Sequence, residues 1–537
     1  MSSYLLRNGL IADGSGSKGY IGDVLIRDEY IECVSASKLE CEDAQTIDCR
    51  GKMIAPGFID CHSHQDHCFP VADPTVYFEP FIRQGITSFV TGNCGFGAAG
   101  FKKGSPHKYD ILSGFLASAL KDVDITWDSW AEYFHHLEKA GLIANVAAIA
   151  AHGAALGSIL GPGTLGAQAV TGDVEEEVLS ILEEGLSDGC KGVSLGLAYR
   201  PGNFTNNKQI HNLARLAAKN NKLLTVHRQV ETSISAAYGD FNEPHNVRWL
   251  REFFENVIDT GVSLHISHLI YPGRSTWPSY EAMHNLIDDF AGKMDITYDM
   301  YSYEYGASEV AILVSPDLPL YFDEMEKNKS LHDEKEAAHN QFSEIIGMKA
   351  SDVFLSNPHN PAYSKYIGMF LDEMAQKRGM STFDNIVDLY KNTEGHATVM
   401  LGTYYSSEMT VDQMTDDKVI YMTDAWIDPG YAQNPAAYGG FPKFLRLARE
   451  SGNISMEKAV HKMTGKPAKR FDLPRRGFLK TGYFADITVF DPAAVAETAG
   501  SKTPASLPIG IQSVFINGKQ ILHNDQFNSH ERGGMVI

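Results

Sequence analysis

Short apolar runs alternate with amphipathic stretches through the long middle of the chain. The apolar runs are roughly four to eight residues long and rich in β-branched side chains, which favours buried strands. The stretches between them, such as residues 173–187 and 209–220, repeat apolar positions at helical spacing. Counting the run that leads to His62, eight such units follow one another, which predicts a closed (β/α)8 barrel of the TIM type. The other seven predicted strands cover residues 86–91, 145–151, 192–199, 223–226, 262–267, 295–301 and 419–423.

The two ends of the chain have a different texture, with short strand-like runs joined by turns. Near the last of them, Asn517-Gly518 is a strong signal for a tight turn. We predict a small β-sandwich built from residues 1–54 and 471–537, around a barrel over residues 55–470. The predicted terminal strands cover residues 4–11, 22–27, 30–34, 482–491 and 511–519.

One gap interrupts the rhythm of the barrel. About 120 residues separate Tyr301 from Asp424, far more than one β/α unit needs. Residues 331–346 have a charged, helix-like pattern, and residues 357–361 resemble a loop. We therefore predict an insertion after barrel strand 7, over about residues 306–400, that acts as a lid over the barrel mouth.

The composition is that of a globular protein, with 43% hydrophobic and 21% charged residues among 537. A net charge of −21 argues against a nucleic-acid or anionic-membrane partner. No apolar run reaches the ~18 residues that a membrane helix needs, and the first residues lack an apolar run of signal-peptide length. The seven scattered cysteines do not form the pattern of a disulfide framework. We therefore expect a protein of the reducing cytoplasm.

Residues able to bind a metal follow the predicted strands at the points where the strands end. The carboxyl ends of barrel strands meet at one rim, where catalytic residues gather. His62 and His64 are two residues apart, so on a strand they would project from the same face. The same rim is expected to hold one side chain from each of four later strands: Cys94, His227, His268 and Asp424.

These residue types suit a zinc centre with an adjacent proton carrier. Neutral imidazoles and a thiolate are typical zinc ligands, and a thiolate set among glycines, as Cys94 is, could bridge two metals. A carboxylate such as Asp424 beside a zinc-bound water can act as general base and then as general acid. The alternative interpretations are a buried structural cysteine and an aspartate that caps a helix.

Other polar residues near the predicted rim give weaker signals. His265 is three residues before His268 and is expected to face away from it, in a structural role. His67, together with Asp66, is expected to line a loop. His152 closes the third predicted strand, where substrate contact and simple packing fit the pattern equally well.

Seven motifs are spread over nearly the whole chain, at residues 55–64, 84–95, 195–202, 266–268, 299–303, 438–442 and 480–486. On these motifs the chain resembles the N-acyl-D-amino acid deacylases (D-aminoacylases) of the amidohydrolase superfamily. The Thr-Gly-Asn-Cys-Gly element at 91–95 is specific to this subgroup, because most of the superfamily bridges its metals with a carboxylated lysine.

The resemblance implies one zinc held tightly by Cys94, His227 and His268. It implies a second, weaker zinc site at His62 and His64 that shares Cys94. Metal-bound hydroxide would attack the carbonyl of a small-molecule amide, with Asp424 as general base and then acid to the leaving amine. The candidate substrate-binding residues are His152, Tyr199, Tyr301 and Tyr303, and assembly as a homo-oligomer is left open.

The chain departs from the family pattern where the substrate carboxylate is usually gripped. Ile270 stands at the position of a lysine, and Ala436 at the position of the arginine in a His-Pro-Arg element. Losing two cations would leave a substrate carboxylate unpaired, typically at a cost of about 2–5 kcal/mol. Three further positions differ: Ala307 for a serine, Gln229 for an arginine and Ser302 for a proline.

Four functions are therefore compared. The leading hypothesis is a zinc-dependent hydrolase of a non-peptide C–N bond, close to the N-acyl-D-amino acid deacylases. The second is a hydrolase of another linear amide, or of a cyclic amide or imide, that lacks a free carboxylate. A deaminase is disfavoured because the expected additional His and Glu set is absent from the sequence. A non-catalytic scaffold is the remote alternative, since all six metal and acid/base residues are present.

Overall fold

Strands and helices alternate along the chain, and the computed structural model describes residues 3–112, 118–120, 123–161, 170–235, 237–315 and 317–537. The strands of these residues are β1 (Ser3–Ile11), β2 (Tyr20–Arg27), β3 (Tyr30–Ser35), β4 (Gln45–Asp48), β5 (Met53–Pro56), β6 (Phe58–Asp60), β7 (Ile86–Thr91), β8 (Asn145–Ala148), β9 (Ala150–Ala151), β10 (Gly192–Gly196), β11 (Leu223–His227), β12 (Ser263–Ile266), β13 (Ile296–Met300), β14 (Gly306–Glu309), β15 (Val353–Asn357), β16 (Thr398–Leu401), β17 (Val419–Tyr421), β18 (Ile487–Phe490), β19 (Ile511–Ile516), β20 (Lys519–His523) and β21 (Gln526–Phe527). The α-helices are α1 (Thr75–Ile82), α2 (Lys108–Leu112), α3 (Trp130–Ala140), α4 (His152–Leu160), α5 (Gly172–Ser187), α6 (Asn207–Lys219), α7 (His245–Val257), α8 (Tyr280–Ala291), α9 (Phe322–Met325), α10 (Lys329–Ile346), α11 (Leu371–Arg378), α12 (Thr382–Thr393), α13 (Ser407–Thr415), α14 (Ala436–Ser451), α15 (Met456–Lys462) and α16 (Gly465–Arg470).

Both ends of the chain contribute to one sheet. Its strand order is β21-β20-β19-β18-β5-β1-β2-β3, with β4 pairing with β1. Strand β18 pairs antiparallel with β5, which joins the last part of the chain to the first. Arg476 fixes this sheet to the middle of the chain, because its guanidinium contacts both Asp486 and Asn517, and Asn517 donates to Asn145 in β8.

The middle of the chain forms two parallel sheets. One has the order β6-β7-β8, and the other has the order β17-β13-β12-β11-β10-β9. Ile149 alone separates β8 from β9, and its N–H donates to the carbonyl of Thr91 at the end of β7. The two sheets therefore run on from one another as eight consecutive strand positions, all in parallel pairing.

The first and last of these eight strands also meet. The hydroxyl of Thr423 donates to Asp60 at 2.5 Å, and the N–H of Thr423 donates to the other oxygen of Asp60 at 3.0 Å. One residue later, the N–H of Asp424 donates to the carbonyl of His62 at 3.0 Å. The ends of β6 and β17 therefore lie side by side.

The strands bury their side chains on both faces. Every residue of β7, β10 and β11 is buried, as expected for parallel strands covered by helices. The flanking helices are amphipathic; α6 turns Ile210, Leu213 and Ala217 toward this core.

Most predicted strands differ from the observed ones only at their ends. The predicted strand 482–491 begins only at Ile487, because Gly482 and Ala485 direct their N–H groups to Ile31 and Glu29. A second difference concerns His62 and His64, which lie beyond the end of β6 at Asp60. The argument from strand alternation is therefore wrong for this pair, and the turn that follows β6 is what directs the two rings.

The insertion after β13 has its own small sheet. Its antiparallel order is β14-β16-β15, and helices α9 to α12 surround it. Arg274 clamps it to the loop after β12 through two bonds to Asp352, of 2.7 and 2.9 Å. Its role as a lid stays a prediction. None of the helices among the described residues is long and apolar enough to cross a membrane.

Candidate metal centre

Polar side chains that were predicted to share one rim do converge. Donor atoms of His62, Cys94 and His268 lie within 4.8 Å of one another, and so do those of His62, His64 and Asp424. The ring of His227 packs against that of His268, with centroids 4.2 Å apart. The strands deliver these residues at or just past their last positions, with His227 at the end of β11 and the others in the turns that follow.

The donor set fits zinc. Zinc binds thiolate sulfur at about 2.3 Å and imidazole nitrogen at about 2.0 Å, so a tetrahedral site places the two donors about 3.5 Å apart. Cys94 Sγ lies 3.1 Å from His62 Nε2 and 3.4 Å from His268 Nε2. Burial raises the pKa of the Cys94 thiol, but the imidazoles of His62, His268 and His227 outweigh burial and hold that pKa well below its ordinary value. The sulfur is therefore poised as a thiolate.

Three of the converging residues have left-handed backbone. The φ angles of Cys94, His268 and Asp424 are +54°, +31° and +43°. Such angles are unusual for residues with a side chain and typically mark functional sites whose surroundings enforce them. Each of the three side chains is thus aimed by its turn and not by a regular strand.

The turn around Cys94 is packed tightly against its neighbour strand. Gly92 and Gly95, with φ of +80° and +72°, flank the single turn that carries the cysteine. The carbonyl of Cys94 lies against Gly196 so closely that a Cβ at Gly196 would overlap it. The absence of a side chain at Gly196 is what lets the turn reach the centre.

Asp299 accepts hydrogen bonds from three histidines, His62, His265 and His268. It is fully buried at the end of β13, and its Oδ2 accepts from His62 Nδ1 at 3.0 Å and from His265 Nε2 at 2.9 Å. Its other oxygen accepts the backbone N–H of His268. The sequence analysis named Asp299 only as part of a motif. An aspartate near the end of a predicted strand, next to the strand that leads to His268, was the signal that could have singled it out.

Asp424 lies between the histidine pair and a tyrosine. Its Oδ1 is 3.0 Å from His64 Nε2 and 3.5 Å from His62 Nε2, and its Oδ2 accepts the hydroxyl of Tyr301. Burial raises its pKa, but His62, His64 and His268 together hold that pKa far below the ordinary value. The carboxylate is therefore ionised.

Aromatic rings line the space around these polar groups. Phe96 and Trp426 each pack edge-on against His64, with centroids 6.1 Å away. Tyr199 stacks near Phe96 at 5.0 Å and places its hydroxyl 2.5 Å from His227 Nδ1. Burial, with the carboxylates of Glu231 and Asp424, raises the pKa of Tyr404, which keeps its hydroxyl protonated.

His152 begins helix α4 beside the cysteine turn, where Gly153 packs on the carbonyl of Gly95. The ring is buried, and burial lowers its pKa from 6.5 to about 4. Its Nδ1 has no hydrogen-bond partner among the described residues. His152 is therefore neutral at physiological pH.

The structure does not bring every candidate to the centre. Tyr303 turns away, since its hydroxyl donates to the carbonyl of Ala499 and its ring lies under Lys443. His265 lies behind the centre, on Asp299, as a structural residue would. His67 lies 3.2 Å from Asp66 in a buried loop.

The positions where the resemblance implied a carboxylate grip hold buried, apolar side chains. Ile270 is 3% exposed and Ala436 is fully buried at the start of α14. Gln229 is engaged with the indole of Trp249 at 3.3 Å. Arg228, the neighbouring cation, is fully buried and donates to the carbonyl of Ile270 at 3.0 Å.

The sequence analysis did not identify Glu231, which lies four residues after His227. Its carboxylate is 3.3 Å from His268 Nδ1.

The chain is similar over most of its length to several known proteins. A family model described as the amidohydrolase family matches residues 410–521. The chain is 26% identical over 536 residues to a D-aminoacylase of Alcaligenes xylosoxydans xylosoxydans, covering 99% of this chain and 97% of that protein. It is 28% identical over 518 residues to an N-acyl-D-glutamate deacylase of the same organism, covering 96% and 92%.

Solved structures share the fold. A crystal structure of D-aminoacylase superposes with a TM-score of 0.78 at 24% identity, covering 99% of both chains. An N-acyl-D-glutamate deacylase of Bordetella bronchiseptica, solved with zinc and a phosphonate inhibitor, also gives 0.78 at 24% identity, over 99% and 98% of the two chains. A dihydropyrimidinase of Brevibacillus agri gives 0.56 at 14% identity, over 100% of this chain and 98% of that one.

Proposed function

We propose that this chain is a member of the D-aminoacylase family of amidohydrolases and a zinc-dependent hydrolase of non-peptide amide bonds, with N-acyl-D-amino acids as the leading substrate class. One observation carries the proposal above all. Cys94, His62 and His268 place sulfur and nitrogen donors at zinc-site spacing, and an ionised Asp424 lies beside them. The match to deacylases over nearly the whole chain supports the same reaction.

Five residues would hold the metal. Cys94, His227 and His268 would form the tighter zinc site, and His62 and His64 would form a weaker one that shares Cys94. Zinc bound there would polarise the amide carbonyl and activate a water at neutral pH.

Asp424 would carry the proton. Its ionised carboxylate would accept a proton from the attacking water and then deliver that proton to the nitrogen of the leaving amine, so Asp424 is ionised again at the end of the reaction. Tyr301 and His64 hold its two oxygens in place, so the carboxylate needs no reorientation before it accepts the proton. Tyr199 and His152 would line the substrate beside this proton path.

A second candidate is a substrate without a free carboxylate. Ile270 and Ala436 fill the positions where the family carries cations, and Arg228 is directed at the carbonyl of Ile270. The aromatic rings of Phe96, Tyr199 and Trp426 suit a neutral group better than an anion. Another linear amide, or a cyclic amide or imide, would suit these aromatic surroundings.

The finer architecture belongs to the same proposal. We propose that the two parallel sheets close into one eight-stranded barrel, supported by the contacts of Thr423 and Asp424 with β6. Residues 1–54 and 471–537 would form the β-sandwich, residues 55–470 the barrel domain, and residues 306–400 its lid. A cytoplasmic location, the absence of nucleic-acid and membrane partners, and homo-oligomer formation stay predictions of the sequence.

The experiment offers the zinc-loaded protein four amides: N-acetyl-D-methionine, its L-enantiomer and the methylamide of each. The Asp424→Asn variant serves as the control for adventitious hydrolysis. Cleavage of the free D-acid alone supports the deacylase assignment. It would also show that the loss of a carboxylate grip, inferred from Ile270 and Ala436, is wrong. Cleavage of the neutral methylamides supports the second candidate. No hydrolysis of these or of bulkier and cyclic amides would contradict the proposed reaction.

A further inference from the structure

The carboxylate of Glu231 lies beside the two histidines of the tighter site, and donor atoms of all three residues are within 4.8 Å of one another. Its Oε1 is 3.3 Å from His268 Nδ1 and 3.9 Å from His227 Nε2. Neither that oxygen nor His268 Nδ1 has a hydrogen-bond partner among the described residues. Two buried polar atoms at this separation, each lacking an alternative, are therefore natural partners.

Glu231 and the cysteine lie on opposite sides of the His268 ring. Nε2 of that ring is 3.4 Å from Cys94 Sγ, whereas Nδ1 is the nitrogen near Glu231. A neutral imidazole carries one proton, so a donor bond through Nδ1 leaves the lone pair on Nε2. That lone pair points toward the cysteine sulfur.

A buried arginine stands on the other side of Glu231. Arg228 Nη2 is 3.8 Å from Glu231 Oε1 and also donates to the carbonyl of Ile270 at 3.0 Å. The arginine side chain is fully buried, and that of Glu231 is 18% exposed. Each of these buried charges therefore lies beside an opposite charge, which lowers the cost of burying both.

We infer that Glu231 is a positioning residue of the metal centre, which fixes His268 in the tautomer and orientation that present Nε2 to zinc. This rests on the proposed zinc centre. Arg228, in turn, supports Glu231 and takes no part in gripping the substrate.

The test measures zinc affinity, which an effect on substrate binding alone would leave unchanged. Zinc is titrated against a competing chelator in the wild type, in Glu231→Gln and in Glu231→Asp. Glu243→Gln is the matched control, since Glu243 lies in the same loop but pairs with Arg251 at 2.9 Å. Far-ultraviolet circular dichroism of the metal-free forms verifies that each variant is folded.

The expected result is a zinc affinity about 10–100-fold weaker in Glu231→Gln, with a smaller loss in Glu231→Asp and none in the control. If the glutamine variant does not fold, the aspartate variant decides, because it keeps the charge but draws back from His268.

Three results would overturn the inference. Unchanged zinc affinity with a raised KM would make Glu231 a substrate contact. Loss of one whole zinc equivalent, with the other unaffected, would make it a metal ligand. A wild type that binds no zinc would refute the proposed function itself, which separates that failure from the others.

Discussion

Asp299 holds His62 from behind, with its Oδ2 3.0 Å from the ring Nδ1, while its Oδ1 accepts the backbone N–H of His268. One buried carboxylate thus orients a ring of the weaker proposed zinc site and stabilises the left-handed turn that delivers a ligand of the tighter one. Such outer carboxylates typically set the tautomer and direction of metal-binding imidazoles.

Replacing that carboxylate should weaken both functions of Asp299. Asp299→Asn is expected to lower zinc affinity about 10–100-fold and to lower the free energy of unfolding by about 1–3 kcal/mol, because buried donors lose their acceptor. Chelator competition and chemical denaturation measure the two effects. Asp288→Asn, at an exposed partner of Lys418, is the control. Wild-type zinc affinity in Asp299→Asn would show that the contact is incidental.

Replacing Asp424 should lower the catalytic rate without lowering the zinc content. Asp424→Asn keeps the shape of the side chain but cannot accept a proton, so kcat is expected to fall about 10²–10⁴-fold. Zinc content, measured by atomic absorption, should stay at the wild-type level. A variant that retains wild-type kcat would assign the proton transfer to another group.

The contact between Gly196 and the cysteine turn predicts a sensitive position outside the ligands. Gly196→Ala puts a Cβ against the carbonyl of Cys94, so either the turn or β10 must shift. We expect a loss of about 1–3 kcal/mol in the free energy of unfolding, together with weaker zinc binding. Gly172→Ala is the matched control, because a Cβ there meets nothing within 4 Å. Equal stability of the two variants would argue against the tight packing.

His152 predicts a pH dependence of stability with a defined sign. Burial lowers its pKa from 6.5 to about 4, so between these values the unfolded chain binds more protons than the folded one. Its contribution is therefore fully present above about pH 6.5 and is lost as the pH falls toward 4.

The comparison of wild type with His152→Gln isolates this contribution. Unfolding free energies of the metal-free proteins are measured at about pH 7.5 and about pH 4.5, and the wild-type advantage should shrink by about 2–3 kcal/mol. An advantage that does not change with pH would mean that His152 stays solvated or finds a partner when protonated.

The rim at the carboxyl ends of the parallel strands could be predicted from sequence, because the apolar runs and the metal-binding residue types indicate the same rim independently. Cys94, His227 and His268 were predicted to lie at this rim, and the structure brings them close together. The carboxylates that contact the histidines were not predicted. Asp299 in β13 contacts His62, which follows β6, and Glu231 in the loop after β11 contacts His268. Periodicity is a local signal and does not reveal which buried carboxylate faces which ring. Tyr303 was misplaced for the same reason, since only the three-dimensional packing turns it to Ala499.

The central claim is that hydrolysis depends on zinc held by Cys94 and its histidines. The most direct measurement restores zinc stepwise to chelator-treated protein while amide hydrolysis is followed, in the wild type and in Cys94→Ala. The account predicts that hydrolysis appears with the first zinc, at about one per chain, and stays absent in the variant. Full hydrolysis by zinc-free protein, or by Cys94→Ala, would contradict it.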